Sequence, residues 1–191
     1  DYVAGTIWEG DEAIPVELRL KGDWTDHLLS GNPSYRIKTE SGTAYKGLRS
    51  FSIQHPKTRN YMHEWFVHQL CESEDLLSTH YTFLELERNG EYQGVYALEE
   101  HFDKQLLESR NRREGPILKM DETGFWKLAI YARKHQLDRI PAPYYESSLT
   151  TVFKESRTLK SPNLRGQFEN GMLLLDAFKY SYERPELLFD L

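Results

Sequence analysis

Residues 81–100 read YTFLELERNGEYQGVYALEE. Two alternating runs, Tyr81 to Glu87 and Tyr92 to Leu98, flank Asn89-Gly90. Asn and Gly both tolerate positive φ, so this pair predicts a two-residue turn joining two antiparallel strands. Upstream the same period-two alternation recurs in Val3 to Trp8, Val16 to Leu20, Tyr35 to Lys38 and Leu48 to Ile53. Asp11-Glu12 is a plausible turn between the first two, and Gly22, Gly31-Asn32-Pro33 and Gly42 punctuate the later joins. The period changes at Asn60, which can cap a helix with Met62, Trp65, Phe66 and Leu70 at helical spacing. The aromatic pair in that helix reads as core.

Downstream, Asp103 to Ser109 reads as a short helix, Pro116 to Lys119 as a strand and Phe125 to His135 as a helix. Arg110 to Glu114 is a polar, mostly basic loop. Pro141-Ala142-Pro143 is the clearest internal break, and beyond it only helix is expected. Leu164, Phe168, Met172, Leu175 and Lys179 share one helical face, which Gly166 and Gly171 weaken. The pattern predicts an α+β fold: a mostly antiparallel sheet with one early helix, then a helical extension. The expected division is 1–140 and 141–191.

The chain has 191 residues, 39 % of them hydrophobic, with 12 Tyr, 9 Phe and 4 Trp, which is ample material for a packed core. Its formal net charge of −6 disfavours generic nucleic-acid binding, which needs basic surface to displace counterions. No run approaches the roughly 18 apolar residues of a membrane span. Cys71 is alone, so it forms neither an internal disulfide nor a thiolate metal site. The seven His lack H-x-x-x-H spacing, and no G-x-S-x-G elbow is present.

Three features could carry chemistry. The run Leu18-Arg19-Leu20-Lys21-Gly22-Asp23 takes a strand into a Gly turn, with Tyr35-Arg36-Ile37-Lys38 on the next strand. A Gly turn can bring backbone N–H groups to a phosphate while a strand cation reaches the same group. A hairpin with solvated cations is the plainer alternative. Glu64, in the early helix, could orient a strand lysine as protein kinases do, or be a surface carboxylate. The acids Glu99, Glu100 and Asp103 cluster where a strand hands over to a helix. Such acids can hold Mg²⁺ or simply suit a helix dipole.

These pieces recur in one order: Leu18 to Asp23, Ser34-Tyr35-Arg36-Ile37-Lys38, Lys46-Gly47-Leu48-Arg49-Ser50-Phe51, Asn89-Gly90-Glu91-Tyr92-Gln93-Gly94-Val95-Tyr96, then Glu100 and Gly115-Pro116-Ile117-Leu118-Lys119. In that order they resemble the CotH kinase family, first known from bacterial spore coats, over about residues 1–122. The resemblance implies a kinase-like amino-terminal lobe that binds ATP and a divalent metal, Mg or Mn, and belongs to an atypical Ser/Thr protein kinase. The implied partner is a protein substrate, such as a coat or surface protein, and the implied location is a spore coat, a cell surface or the cytoplasm. It implies Lys38 as an α/β-phosphate contact, Glu100 as a metal or nucleotide-orienting acid, and Glu64 as a partner for Lys38. Gly22 and Asp23 match the family turn, and Lys119 matches the lysine that closes the pocket.

Two departures accompany the resemblance. The family turn is often Gly-Asn-Ser, but here it is Gly22-Asp23-Trp24, and an Asp beside phosphates is repelled unless a metal intervenes. Family members also continue into a segment that supplies the catalytic acids, and nothing like it occurs before Leu191. The expectation is therefore a second lobe that begins at 141 and is cut short, no catalytic acid within the chain, and little or no activity from it. A non-catalytic kinase-like scaffold in a coat or surface assembly is the alternative reading.

Overall fold

A computed structural model describes residues 1–21, 31–138 and 148–180. The chain divides into two compact units, Asp1–Arg112 and Arg113–Leu191.

The first unit is an antiparallel sheet of six strands: β1 Val3–Glu9, β2 Glu12–Lys21, β3 Ser34–Thr39, β4 Ser50–Gln54, β5 Tyr81–Arg88 and β6 Glu91–Glu100. Their spatial order is β1-β2-β3-β4-β6-β5. Asn89 and Gly90 both take positive φ, 53° and 84°, and close the β5–β6 hairpin as their residue types predict. The first hairpin turns one residue earlier than expected. Glu9 pairs with Glu12, and Gly10 supplies the positive φ of 61° that the turn needs. The strand expected to begin at Leu48 begins at Ser50, because Leu48 turns back onto Tyr45 through Lys46 and Gly47, both at positive φ.

One face of this sheet is apolar. Ile14, Val16, Ile37, Phe51, Ile53, Tyr96 and Leu98 form its core with Tyr45 and Leu48. Phe51, Tyr96 and Leu98 are fully buried. Each such side chain removed from water contributes roughly 1.5–3 kcal/mol.

The early helix, α1, spans His63–Ser73. Asn60 does not cap it. Pro56–Arg59 forms a 3₁₀ turn first, which Asn60 ends in the left-handed conformation, φ 51°. Of the predicted Met62, Trp65, Phe66 and Leu70 stripe only Trp65 is on its buried side. Met62, Phe66 and Leu70 are exposed, and Glu64, Trp65, His68 and Cys71 are the half-buried residues. The reason is what lies beneath. His68 stacks on Tyr81 with ring centroids 5.1 Å apart, and Tyr81 stands on the polar face of the sheet. A polar helix side therefore meets a polar sheet face. A short helix, α2 (Lys104–Ser109), follows β6 with Asp103 as its N-cap, accepting from the Gln105 N–H.

The second unit contains β7 Leu118–Met120, α3 Thr123–Lys134, β8 Thr150–Val152, α4 Glu155–Lys160 and α5 Pro162–Tyr180. The expectation of helix alone beyond Pro143 is corrected here: β8 pairs antiparallel with β7. That pairing ties residues on both sides of 141–143 into one compact unit. Pro141 to Pro143 lie outside the described residues. Helix α5 turns inward the face anticipated for it, with Phe168 buried and Leu164, Met172 and Leu175 half-buried. Gly171 has a packing reason: a Cβ there would sit 2.9 Å from Leu118 Cδ2, so its absence lets α5 approach β7.

Candidate functional site

Strand alternation sends every second residue of the six-stranded sheet to the face opposite the core. The register aligns Arg19, Arg36, Ser52, Glu99 and Tyr81 as successive cross-strand neighbours through β2, β3, β4, β6 and β5. Lys21 and Lys38 flank that row, opposite Ser34 and Glu17 respectively.

At the centre, Lys21 Nζ donates to Glu99 Oε2 at 3.1 Å and to Gln54 Oε1 at 3.4 Å. Gln54, fully buried, also donates from Nε2 to Glu99 Oε2 at 3.4 Å. The Lys21 and Glu99 side chains are only 19 % and 15 % exposed. Burial pulls the Lys21 ammonium below its usual pKa, Glu99 opposes that shift, and Arg36 and Arg59 add to it. Burial likewise lowers Arg36, again opposed by Glu99 and reinforced by Arg19. Arg36 Nε is buried without a hydrogen-bond partner.

Around this centre stand Glu64, His68, Tyr81 and His101. The Glu64 carboxylate, 3.7 Å from His68 Nε2, is held below the usual carboxylate range by His68 first, then by Arg59 and Lys21 against its burial. Burial pushes the Tyr81 phenol up to about 12, and its hydroxyl lies near Gln54 but outside hydrogen-bond geometry. His101 falls to about 4, because it is buried and shares its surroundings with Arg36. Its ring is neutral at neutral pH.

The residues singled out in the sequence are distributed unevenly about this cluster. Glu64 belongs to it. Lys38 is exposed on the same face, with Nζ 4.4 Å from the centroid of the Tyr2 ring. No ion pair joins Lys38 to Glu64; the cation whose field reaches Glu64 from the strands is Lys21. Glu100 points to the core face, opposite Phe51, and is 5 % exposed. Its Oε2 accepts from the His80 N–H at 2.9 Å, and its own N–H donates to the His80 carbonyl, which makes it a clasp for the start of β5. Lys119 lies on β7 in the second unit, exposed, with Nζ 5.2 Å from the Phe153 ring centroid. Gly22 and Asp23 lie outside the described residues.

Sequence reasoning named Lys21 and Arg36 only within the strand motifs and Glu99 only within the acidic cluster, and gave Gln54 and His101 no role. Lys21 and Lys38 look equivalent as strand lysines. Only the register, and the helix lying on one end of the sheet, decides which is half-buried against a carboxylate.

The donor set fits a phosphoryl oxyanion: several cations, one with an orphaned buried N–H, against two carboxylates. Glu100, 5 % exposed, gives one carboxylate oxygen to a backbone N–H. Among the described residues, no group of three His, Cys, Asp or Glu side chains is placed to hold a metal ion. No helix among the described residues is long and apolar enough to cross a membrane. A family model described as CotH kinase protein matches residues 18–165, which includes all of this cluster. No curated protein matches the chain.

Proposed function

The chain belongs to the CotH kinase family, and from that premise we propose that its polar sheet face is the nucleotide-phosphate site of an ATP-dependent protein kinase acting on Ser or Thr. The observation that carries this reading is the half-buried Lys21–Glu99–Gln54 group, with the Glu64 carboxylate within its field. Protein kinases use a strand lysine, held by an acid, to grip nucleotide phosphates. Lys21 fills the role of that lysine. Glu99 orients it from β6, across β3 and β4, and Glu64 is the helix acid on the same side.

When bound, ATP supplies the transferable phosphoryl group. The protein's own part is positioning and charge neutralisation. Lys21 and Arg36 offset phosphate charge. Gln54 fixes the carboxylate that would otherwise swing away. His101, neutral at neutral pH, adds no further positive charge beside Arg36. The acceptor hydroxyl belongs to a protein substrate.

The test is ATP binding by residues 1–191 with Mg²⁺ or Mn²⁺, followed by calorimetry. Lys21→Met should weaken ATP by about tenfold or more, the scale of one charge-assisted contact, while Lys119→Met changes nothing. Wild-type protein that is folded and yet takes up no ATP would overturn the reading in favour of a kinase-like scaffold.

A further inference from the structure

Helix α1 turns its polar side to the sheet, which leaves its apolar side in water. Met62, Phe66 and Leu70 recur every fourth residue along that outer surface and are 51 %, 64 % and 54 % exposed. Val67 flanks them, and Tyr61 before the helix and Leu76 after it are exposed as well. Single exposed apolar residues are ordinary, but a run of them on one surface marks a place where something docks. The two ends of the stripe differ in charge. Lys57 and Arg59 stand before the helix, both exposed, with Arg59 also acting on the inward Glu64. Glu72, Glu74 and Asp75 stand at the other end, where Glu72 is paired with Arg110 and Asp75 with Arg112. Three acids against two arginines leave that end negative, with Glu74 unpaired. The helix dipole has the same sense, positive at the first end and negative at the second. The other exposed helix residues, His63, Gln69 and Ser73, carry no fixed charge.

We infer that the outer face of α1 docks a second copy of this chain, the two helices running antiparallel about a two-fold axis beside Phe66. A two-fold interface has to complement itself, and this stripe does so in both shape and charge. Met62 of each copy covers Leu70 of the other, with the two Phe66 rings meeting at the axis. The same register sets Lys57 and Arg59 of each copy beside Glu74 and Asp75 of the other, and it opposes the two helix dipoles. A parallel pair would set like ends together. An apolar peptide or a lipid surface could use the stripe, but neither would make use of opposite charges at its two ends. One helix face is a small interface, so a weak dimer is expected, with a dissociation constant on the order of 100 μM. The pairing involves none of the residues assigned to the nucleotide.

The test is sedimentation of residues 1–191 at concentrations from about 10 μM to about 1 mM. Wild-type protein should pass from monomer to dimer within that range. Phe66→Asp sets two like charges at the axis and should remain monomeric throughout. Phe66 is 64 % exposed, so the circular dichroism and melting midpoint of this variant should match wild type. Lys57→Glu and Glu74→Lys should each weaken the dimer several-fold, because each sets like charges together at both ends of the pair. Mixed in equal amounts, the two variants should recover dimer, since each then meets its opposite in the other. Folded wild-type protein that stays monomeric at the highest concentration overturns the inference and leaves the stripe to a different partner. A dimer that persists in Phe66→Asp overturns it too, by placing the interface elsewhere. A mixture no more dimeric than either charge variant alone would overturn the antiparallel register and reduce the contact to apolar adhesion.

Discussion

The two faces of the six-stranded sheet are made by the same strands and answer different demands. On one, Phe51, Tyr96 and Leu98 are fully buried among other apolar side chains. On the other, one residue away along each strand, Arg36, Ser52 and Glu99 line up in register. The apolar face gains free energy simply by leaving water. The polar face gains little, because taking charges out of water offsets most of what their pairing returns. A sheet needing only stability would cover its second face with apolar side chains and an apolar helix. Here α1 presents Glu64 and His68 to it and leaves Phe66 and Leu70 in solvent. Stability and chemistry are thus separated by a single step of strand alternation.

That contrast is broken most severely from the apolar side. Phe51→Ala should destabilise the first unit by about 3–5 kcal/mol through lost burial and the cavity left behind. Urea denaturation should show a lower midpoint with an unchanged slope, and phosphate binding should vanish only where the unit unfolds. A loss below about 1 kcal/mol would mean that the core is not where the fold is held.

A smaller effect is expected on the polar side. Glu99→Gln leaves Lys21 half-buried without its carboxylate. Breaking a fully buried pair costs about 3–5 kcal/mol, but both side chains keep some contact with water, 19 % and 15 % exposed, so about 1–2 kcal/mol is expected here. The sign of the pH dependence separates this from a packing defect. With Glu99 gone, the Lys21 pKa drops further, so the penalty shrinks as pH rises and the amine releases its proton. A destabilisation that is flat from neutral to alkaline pH would indicate lost packing instead.

The legible and illegible parts of the molecule follow the same division. Alternation and turn chemistry are local, so the strands, the Asn89-Gly90 hairpin and the α+β class could be read directly. So could the inward face of α5, where Phe168 is buried. The polar face could not, because its grouping depends on which residues stand opposite one another. Lys21 meets Glu99 across two intervening strands and 78 residues of chain. Periodicity assigned the inward side of α1 to Met62, Trp65, Phe66 and Leu70, since an apolar stripe ordinarily faces a core; the partner surface beneath it is polar, and of the four only Trp65 is half-buried. Strand β8 was hidden for another reason. At three residues it is too short for alternation to register, and only its pairing with β7 defines it.

The mildest test of the contrast uses acid. His101 is lowered from its usual 6.5 to about 4, first by burial and then by Arg36. Between those values the unfolded chain binds a proton that the folded chain refuses, so folding stability rises with pH across this window and falls as the solution is acidified through it. The Glu64 carboxyl, also lowered, adds a loss of the same sign at more acid pH. Solvent screening of the part-exposed His101 ring keeps its contribution below that of the Glu99 substitution. His101→Gln should flatten the stability profile between about pH 6.5 and 4 while leaving the acid loss due to Glu64. Phe51→Ala, by contrast, should lower the whole profile without changing its shape, because an apolar side chain binds no proton. Chemical denaturation at several pH values distinguishes the two. A His101→Gln profile parallel to wild type would place the proton uptake elsewhere and remove the imidazole from the polar face's charge balance.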